Sequence, residues 1–169
     1  MRNLPEITHD ILLEDDRWPA VLPDYESLIA MCTDQVFKHG NYLAEAKEIE
    51  LSVTLTNDHH IQQLNNDYRG KNSPTNVLSF PQLNNDKGLE HTTEPIIMLG
   101  DVVVALETIE REAIEQNKTL QDHFIHMVIH SILHLLGYDH ENQSEAETME
   151  ALEIKILSDM GIKNPYQTL

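Results

Sequence analysis

From Phe124 to Leu136 the chain reads F-I-H-M-V-I-H-S-I-L-H-L-L, apolar almost all the way round a helix that Thr119 opens. A helix without a polar face has to be buried. His130 and His134 are then polar groups inside an apolar element, a costly placement unless each is hydrogen-bonded or ligated. They stand four apart, so on a helix their imidazoles share one face, a turn apart. Gly137 breaks the helix behind them and lets the chain double back, so that His140 arrives from outside it. Three neutral imidazole nitrogens converging on a point make a zinc site of catalytic type, with the fourth position left to water. A closed structural site would want a fourth protein ligand, often cysteine, and the only cysteine, Cys32, lies far upstream. The expectation is one zinc ion per chain, held by His130, His134 and His140.

The spacing matches the long zincin signature H-E-x-x-H-x-x-G-x-x-H at every histidine and at the glycine. It departs where metalloproteases place the glutamate that activates the zinc-bound water. That position is Ser131, whose hydroxyl does not accept a proton at neutral pH as a carboxylate does. The metal cage is present without the protease's base, which points to metal-assisted hydrolysis of something other than a peptide. A zinc metalloprotease or amidohydrolase is the rival reading. His126 extends the stripe by another four residues and is expected as a hydrogen-bonded neighbour rather than a ligand. His9, His39, His59, His60, His91 and His123 lack comparable spacing and are expected at the surface.

A chain of 169 residues is expected to fold as one domain spanning residues 1–169. No apolar run approaches the length of a membrane span, and the start, M-R-N-L-P-E-I-T-H-D, does not read as a signal peptide. A single cysteine rules out an internal disulfide framework and fits a reducing cytosol, with Cys32 packed in a helix face. The net charge of -18 argues against broad, nonspecific attraction to nucleic acid, though not against a local cationic site. With only 11 lysines and arginines, those near the site should matter individually.

Residues 5–13 read as a first strand, and Pro19 and Pro23 punctuate a loop after it. Leu28, Ile29, Cys32 and Val36 fall at helical spacing from Tyr25, with Gly40 and Asn41 as the stop. Leu51, Val53 and Leu55 alternate with polar residues, the pattern of a half-buried strand. Asp58 is placed to cap a short helix carrying Ile61, Leu64 and Tyr68. Val77 to Phe80 reads as a strand ended by Pro81, and residues 82–95 as an exposed polar loop. Ile96 to Ala105 is nearly all apolar, the mark of a central strand. Helices follow from Leu106 to Asn117 and from Thr119. Ser144 and Glu147 form a capping box for a last helix with an inner stripe of Met149, Leu152, Ile156 and Met160, ended by Gly161 and a frayed tail. The order predicts an α+β (or α/β-like) fold, one mixed sheet of about four strands packed by helices, with the zinc helix across one sheet face.

The run from His130 to His140 resembles the H-G-x-L-H-L-x-G-Y-D-H signature of the YbeY family, bacterial metal-dependent endoribonucleases of ribosomal RNA maturation. Asn65-Asn66-Asp67-Tyr68-Arg69 resembles that family's L-N-x-x-Y-R element, Thr75 to Pro81 its T-D-V-L-S-F-P, and Leu99-Gly100-Asp101-Val102 its L-G-D-I. Ser131 stands where the family usually has glycine, and Asn76 where it usually has aspartate. The resemblance implies a zinc-bound endoribonuclease that prefers single-stranded RNA. It further implies trimming of the 3′ end of 16S ribosomal RNA, ribosome quality control, and a cytoplasmic protein working with the ribosome or its small subunit. A non-enzymatic ribosome-assembly factor stabilised by its metal is the third reading. Arg69 matches the family's arginine and is the candidate phosphate clamp, since a guanidinium fork suits phosphate oxygens. Lys71 is its electrostatic helper. Asp139, beside the third ligand, is a candidate catalytic-site residue, either orienting an imidazole or capping the helix.

Overall fold

A computed structural model describes residues 4–40, 42–43, 46–83 and 96–167 of the chain. Most of the loop expected at 82–95, with His91 and Asn41, lies outside the described residues. The strands are β1 (Glu6–Leu13), β2 (Glu48–Thr56), β3 (Val77–Pro81) and β4 (Ile96–Ala105). The helices are α1 (Trp18–Val21), α2 (Tyr25–Lys38), α3 (Asp58–Arg69), α4 (Leu106–Glu115), α5 (Leu120–Leu135) and α6 (Gln143–Asp159). The four strands form one mixed sheet in the order β1-β2-β4-β3. β1 and β4 both run parallel to β2, and β3 lies antiparallel to β4 at one edge. The α+β expectation therefore holds, with β4 inside the sheet. No described helix is long and apolar enough to cross a membrane.

β4 explains its own composition. Val102 and Val104 face the main core beneath α2 and α5, whereas Val103 and Ala105 join Ile61 and Leu78 in a second cluster under α3. A strand covered on both faces has no use for polar alternation. β2 shows the contrasting period, with Ile49, Leu51, Val53 and Leu55 buried and the residues between them only partly so. At the sheet edge, Gly100 sets how closely β3 lies against β4. Its φ is +144°, and a Cβ there would collide with the Phe80 carbonyl oxygen and lie 2.9 Å from Leu135 Cδ2. Only a residue without a side chain lets β3 pair this closely with β4, and the same gap admits the Leu135 side chain of α5.

Four local expectations are corrected. The Trp18 segment is a short helix rather than loop. Trp18 is fully buried and its indole N–H donates to the Thr56 carbonyl at 2.9 Å, while Pro19 is tolerated because first-turn N–H groups need no helical partner. Asn57, not Asp58, caps α3 through the His60 N–H; Asp58 instead accepts from the Thr108 N–H and hydroxyl. Asn142, not Ser144, caps α6 through the Glu145 N–H. The tail is anchored at least as far as Tyr166, whose hydroxyl donates to Glu153 at 2.5 Å. The Thr119 cap stands as expected, accepting from the Asp122 N–H.

Candidate metal centre

α5 carries His130 and His134 on one face, and its end delivers His140. Gly137, at φ +101°, turns the chain: its N–H bonds the His134 carbonyl at 3.0 Å and the Tyr138 N–H bonds that of Leu133 at 3.1 Å. This is a Schellman ending, which satisfies the last carbonyls while reversing direction. Tyr138 is held in turn by its hydroxyl against that of Tyr42, 2.7 Å away. The Asp139 carboxylate accepts from the His140 N–H at 2.8 Å. One nitrogen from each of His130, His134 and His140 then lies within 4.8 Å of the others. His130 and His134 are half-buried and His140 is exposed, so the cluster opens to solvent on one side.

The hydrogen bonds on the far side of the rings decide what the cluster can hold. His134 Nδ1 meets the Tyr138 carbonyl at 3.0 Å, an acceptor only, so Nδ1 carries the proton. His130 Nδ1 meets Glu153 Oε1 at 2.5 Å. Burial opposes ionisation of Glu153, but the imidazoles of His126 and His130 beside it and the Tyr166 hydroxyl outweigh burial and hold the carboxyl down at about 2. His130 Nδ1 is therefore a donor as well. Both Nε2 atoms keep bare lone pairs, and they face one another at 3.1 Å. Two lone pairs at that distance repel unless a cation lies between them. Burial, then His130 and His140, lowers the pKa of His134, which disfavours a proton as that cation. The donor set fits a metal ion that accepts imidazole ligands.

Glu153 joins the site without having been among the sequence-predicted residues. It is fully buried on α6, accepts from His130 and Tyr166, and lies 3.6 Å from His126 Nε2. Its signal was available: it stands four residues after Met149 and three before Ile156, on the apolar stripe itself. His126 is a buried neighbour of the cluster, as expected, with Nε2 3.4 Å from the Tyr166 hydroxyl. His123 is a correction. It is 1% exposed rather than at the surface, because it continues the α5 stripe and pairs with Glu112 at 3.2 Å. His9 is half-buried and bonds Thr33, His39 pairs with Asp159 and His60 with Glu14.

The departures from the YbeY pattern have physical settings. Asn76 Nδ2 donates to Glu112 Oε1 at 2.8 Å and Oε2 at 3.1 Å, a contact that an ionised aspartate could not make. Ser131 is fully buried, its Oγ finds no partner among the described residues, and it does not line the cleft.

The cluster opens onto a cleft of about 780 Å³ that also takes in Tyr68, Arg69, Lys71 and Phe80. Arg69 ends α3. Arg17 and Arg111 are ion-paired, but among the described residues no carboxylate pairs with Arg69 or Lys71. The structure thus brings Arg69 and Lys71 to the opening of the histidine cluster. Asp139 also lines the cleft, while the contacts that orient His130 and His134 come from Glu153 and the Tyr138 carbonyl.

Fold and site together define a small α+β protein with a trihistidine cluster of metal-binding geometry on an open cleft. The family model described as Endoribonuclease YbeY matches residues 15–161, and the chain belongs to that family. Relatives named Endoribonuclease YbeY include one from Rhizobium etli, 41% identical over 97% of this chain and 95% of its own. Another, from Azorhizobium caulinodans, is 44% identical over 93% of this chain and 94% of its own. A third, from Bartonella henselae, is 42% identical over 96% of this chain and 99% of its own. The solution structure of TM1509 from Thermotoga maritima shares the fold, with a TM-score of 0.53 at 24% identity over 95% of this chain and all of that one.

Proposed function

We propose that this chain is a zinc-dependent endoribonuclease that cuts single-stranded RNA. Its substrate would be ribosomal RNA at the 3′ end of the 16S molecule, handled with the small ribosomal subunit in the cytoplasm. The observation that carries the reading is the meeting of three imidazole nitrogens within 4.8 Å of one another with Arg69, which has no carboxylate partner among the described residues, on the same open cleft.

His130, His134 and His140 would hold the ion, which when bound supplies a Lewis acid for a phosphoryl oxygen and lowers the pKa of water. Glu153 and the Tyr138 carbonyl keep the protons on Nδ1 of His130 and His134, so that Nε2 of each stays a lone-pair donor. Asp139 is a positioning residue whose carboxylate fixes the backbone N–H of His140 and with it the third imidazole. Arg69 grips the scissile phosphate through its fork and offsets the charge that builds on the phosphate oxygens. Lys71 adds charge without the fork's directionality.

Elemental analysis joined to an RNA cleavage assay, with and without chelator, tests this reading. His134→Ala should lose the metal and the cleavage together. Arg69→Ala should stay folded and metal-loaded while turnover falls about 100-fold. Normal RNA cleavage by Arg69→Ala would remove the clamp. Peptide cleavage lost in His134→Ala, with RNA left intact by the parent, would replace the nuclease by a protease.

A further inference from the structure

Tyr68 is the most exposed aromatic side chain among the described residues, at 69%. It stands immediately before Arg69 and lines the same cleft as the three histidines. Its hydroxyl makes no hydrogen bond among the described residues, so the polar tip does not account for its place. Nor is the ring loose. Phe80 braces it edge-on, with centroids 5.2 Å apart and planes at 63°. Phe80 is partly buried against the Ile61, Leu78, Val103 and Ala105 cluster, so the brace is anchored in the core.

A braced aromatic ring left open at the wall of a cleft gains when another flat face covers it. Nucleobases present such a face whatever their sequence, and base–aromatic stacking is sequence-tolerant for that reason. The charge of the molecule adds weight to such a short-range contact. At -18 overall, with two cations in the cleft that lack carboxylate partners among the described residues, the protein cannot draw a strand in by broad electrostatic attraction.

We infer that Tyr68 is a stacking platform for an unpaired nucleobase next to the phosphate held by Arg69. The inference rests on the ribonuclease reading and names where its preference for single strands arises. A base paired in a duplex is covered on both faces by its neighbours and cannot lie on the ring. A base in a single strand can be splayed out onto it. Tyr68 thus selects unpaired RNA through the base, whereas Arg69 holds any phosphate.

The test uses the metal-loaded full chain, a short 2′-O-methyl oligoadenylate and an abasic strand of the same length and charge. Tyr68→Ala should weaken oligoadenylate binding about tenfold or more and leave the abasic strand unaffected. Tyr68→Phe should bind as the parent does, since the ring and not the hydroxyl is used. In Tyr68→Trp, oligoadenylate should quench the new indole and the abasic strand should not; Trp18 is fully buried and gives a constant background. On cleavable RNA, Tyr68→Ala should raise KM with little change in kcat and with full metal content. If Tyr68→Ala binds oligoadenylate like the parent, or both strands quench Tyr68→Trp equally, the platform is wrong and the nuclease reading stands. If the parent neither binds nor cuts single-stranded RNA, both fall.

Discussion

Glu153 is the side chain on which the histidine cluster most depends without being part of it. It is a fully buried carboxylate whose oxygens meet His130 Nδ1 and the Tyr166 hydroxyl, each at 2.5 Å. A carboxylate behind an imidazole fixes the tautomer and raises the basicity of the outward nitrogen. Glu153→Gln keeps the shape and an acceptor but loses the charge. Its metal affinity, read by competition with a chromophoric chelator, should fall about tenfold to a hundredfold. Affinity equal to the parent would leave Glu153 a packing residue only. Glu112, half-buried, stands behind the α5 stripe against His123. Burial raises its pKa, but hydrogen bonds from His123 and Asn76 outweigh burial and lower it. The stabilisation from a depressed carboxylate is complete above its unfolded pKa of about 4.3 and is lost as pH falls through the lower folded value. Glu112→Gln should therefore lower the melting temperature at neutral pH, and the gap from the parent should close in acid. A gap that persists unchanged in acid would place the cost in packing rather than in charge.

At the scale of elements, the caps separate what composition shows from what the backbone chooses. Asn142 bonds the Glu145 N–H at 2.9 Å, whereas the Ser144 hydroxyl caps nothing. Asn142→Ala should cost about 1 kcal/mol in denaturant melts, and Ser144→Ala close to none. Equal costs would mean that both caps are occupied in turn in solution. The same pair shows how far the sequence could be read. β2 was legible from its alternation, and β4 and α5 from long apolar runs that only a buried element carries. Helix starts slipped by one or two residues because Asn57 and Asp58, like Asn142 and Ser144, are all competent caps. Only tertiary partners such as Thr108 decide between the neighbours. α1 was missed because four residues are too few to show a period. In the site, His130, His134 and His140 were legible because a single local run carries them. Glu153 and Tyr166 were not, because Glu153 reaches His130 from another helix and Tyr166 reaches Glu153 from the tail.

The whole molecule carries -18 charges and yet is proposed to bind a polyanion. Long-range attraction is the wrong sign, so binding has to rest on short-range contacts inside the cleft, where Arg69 and Lys71 are free of carboxylate partners among the described residues. Salt dependence measures that division directly. Each phosphate neutralised on a single strand contributes about -0.7 to the slope of log affinity against log salt. Two such contacts give a slope of about -1.4, shallow for a nucleic-acid binder. Arg69→Ala should reduce the slope by about 0.7 while Tyr68→Ala lowers the affinity at every salt concentration and leaves the slope in place. The measurement is fluorescence anisotropy of a labelled 2′-O-methyl strand across a range of potassium chloride concentrations. A parent slope of about -4 or steeper would mean that the strand runs over basic residues outside this cleft. The histidine cluster would then mark the point of cleavage, but not the surface that recognises RNA.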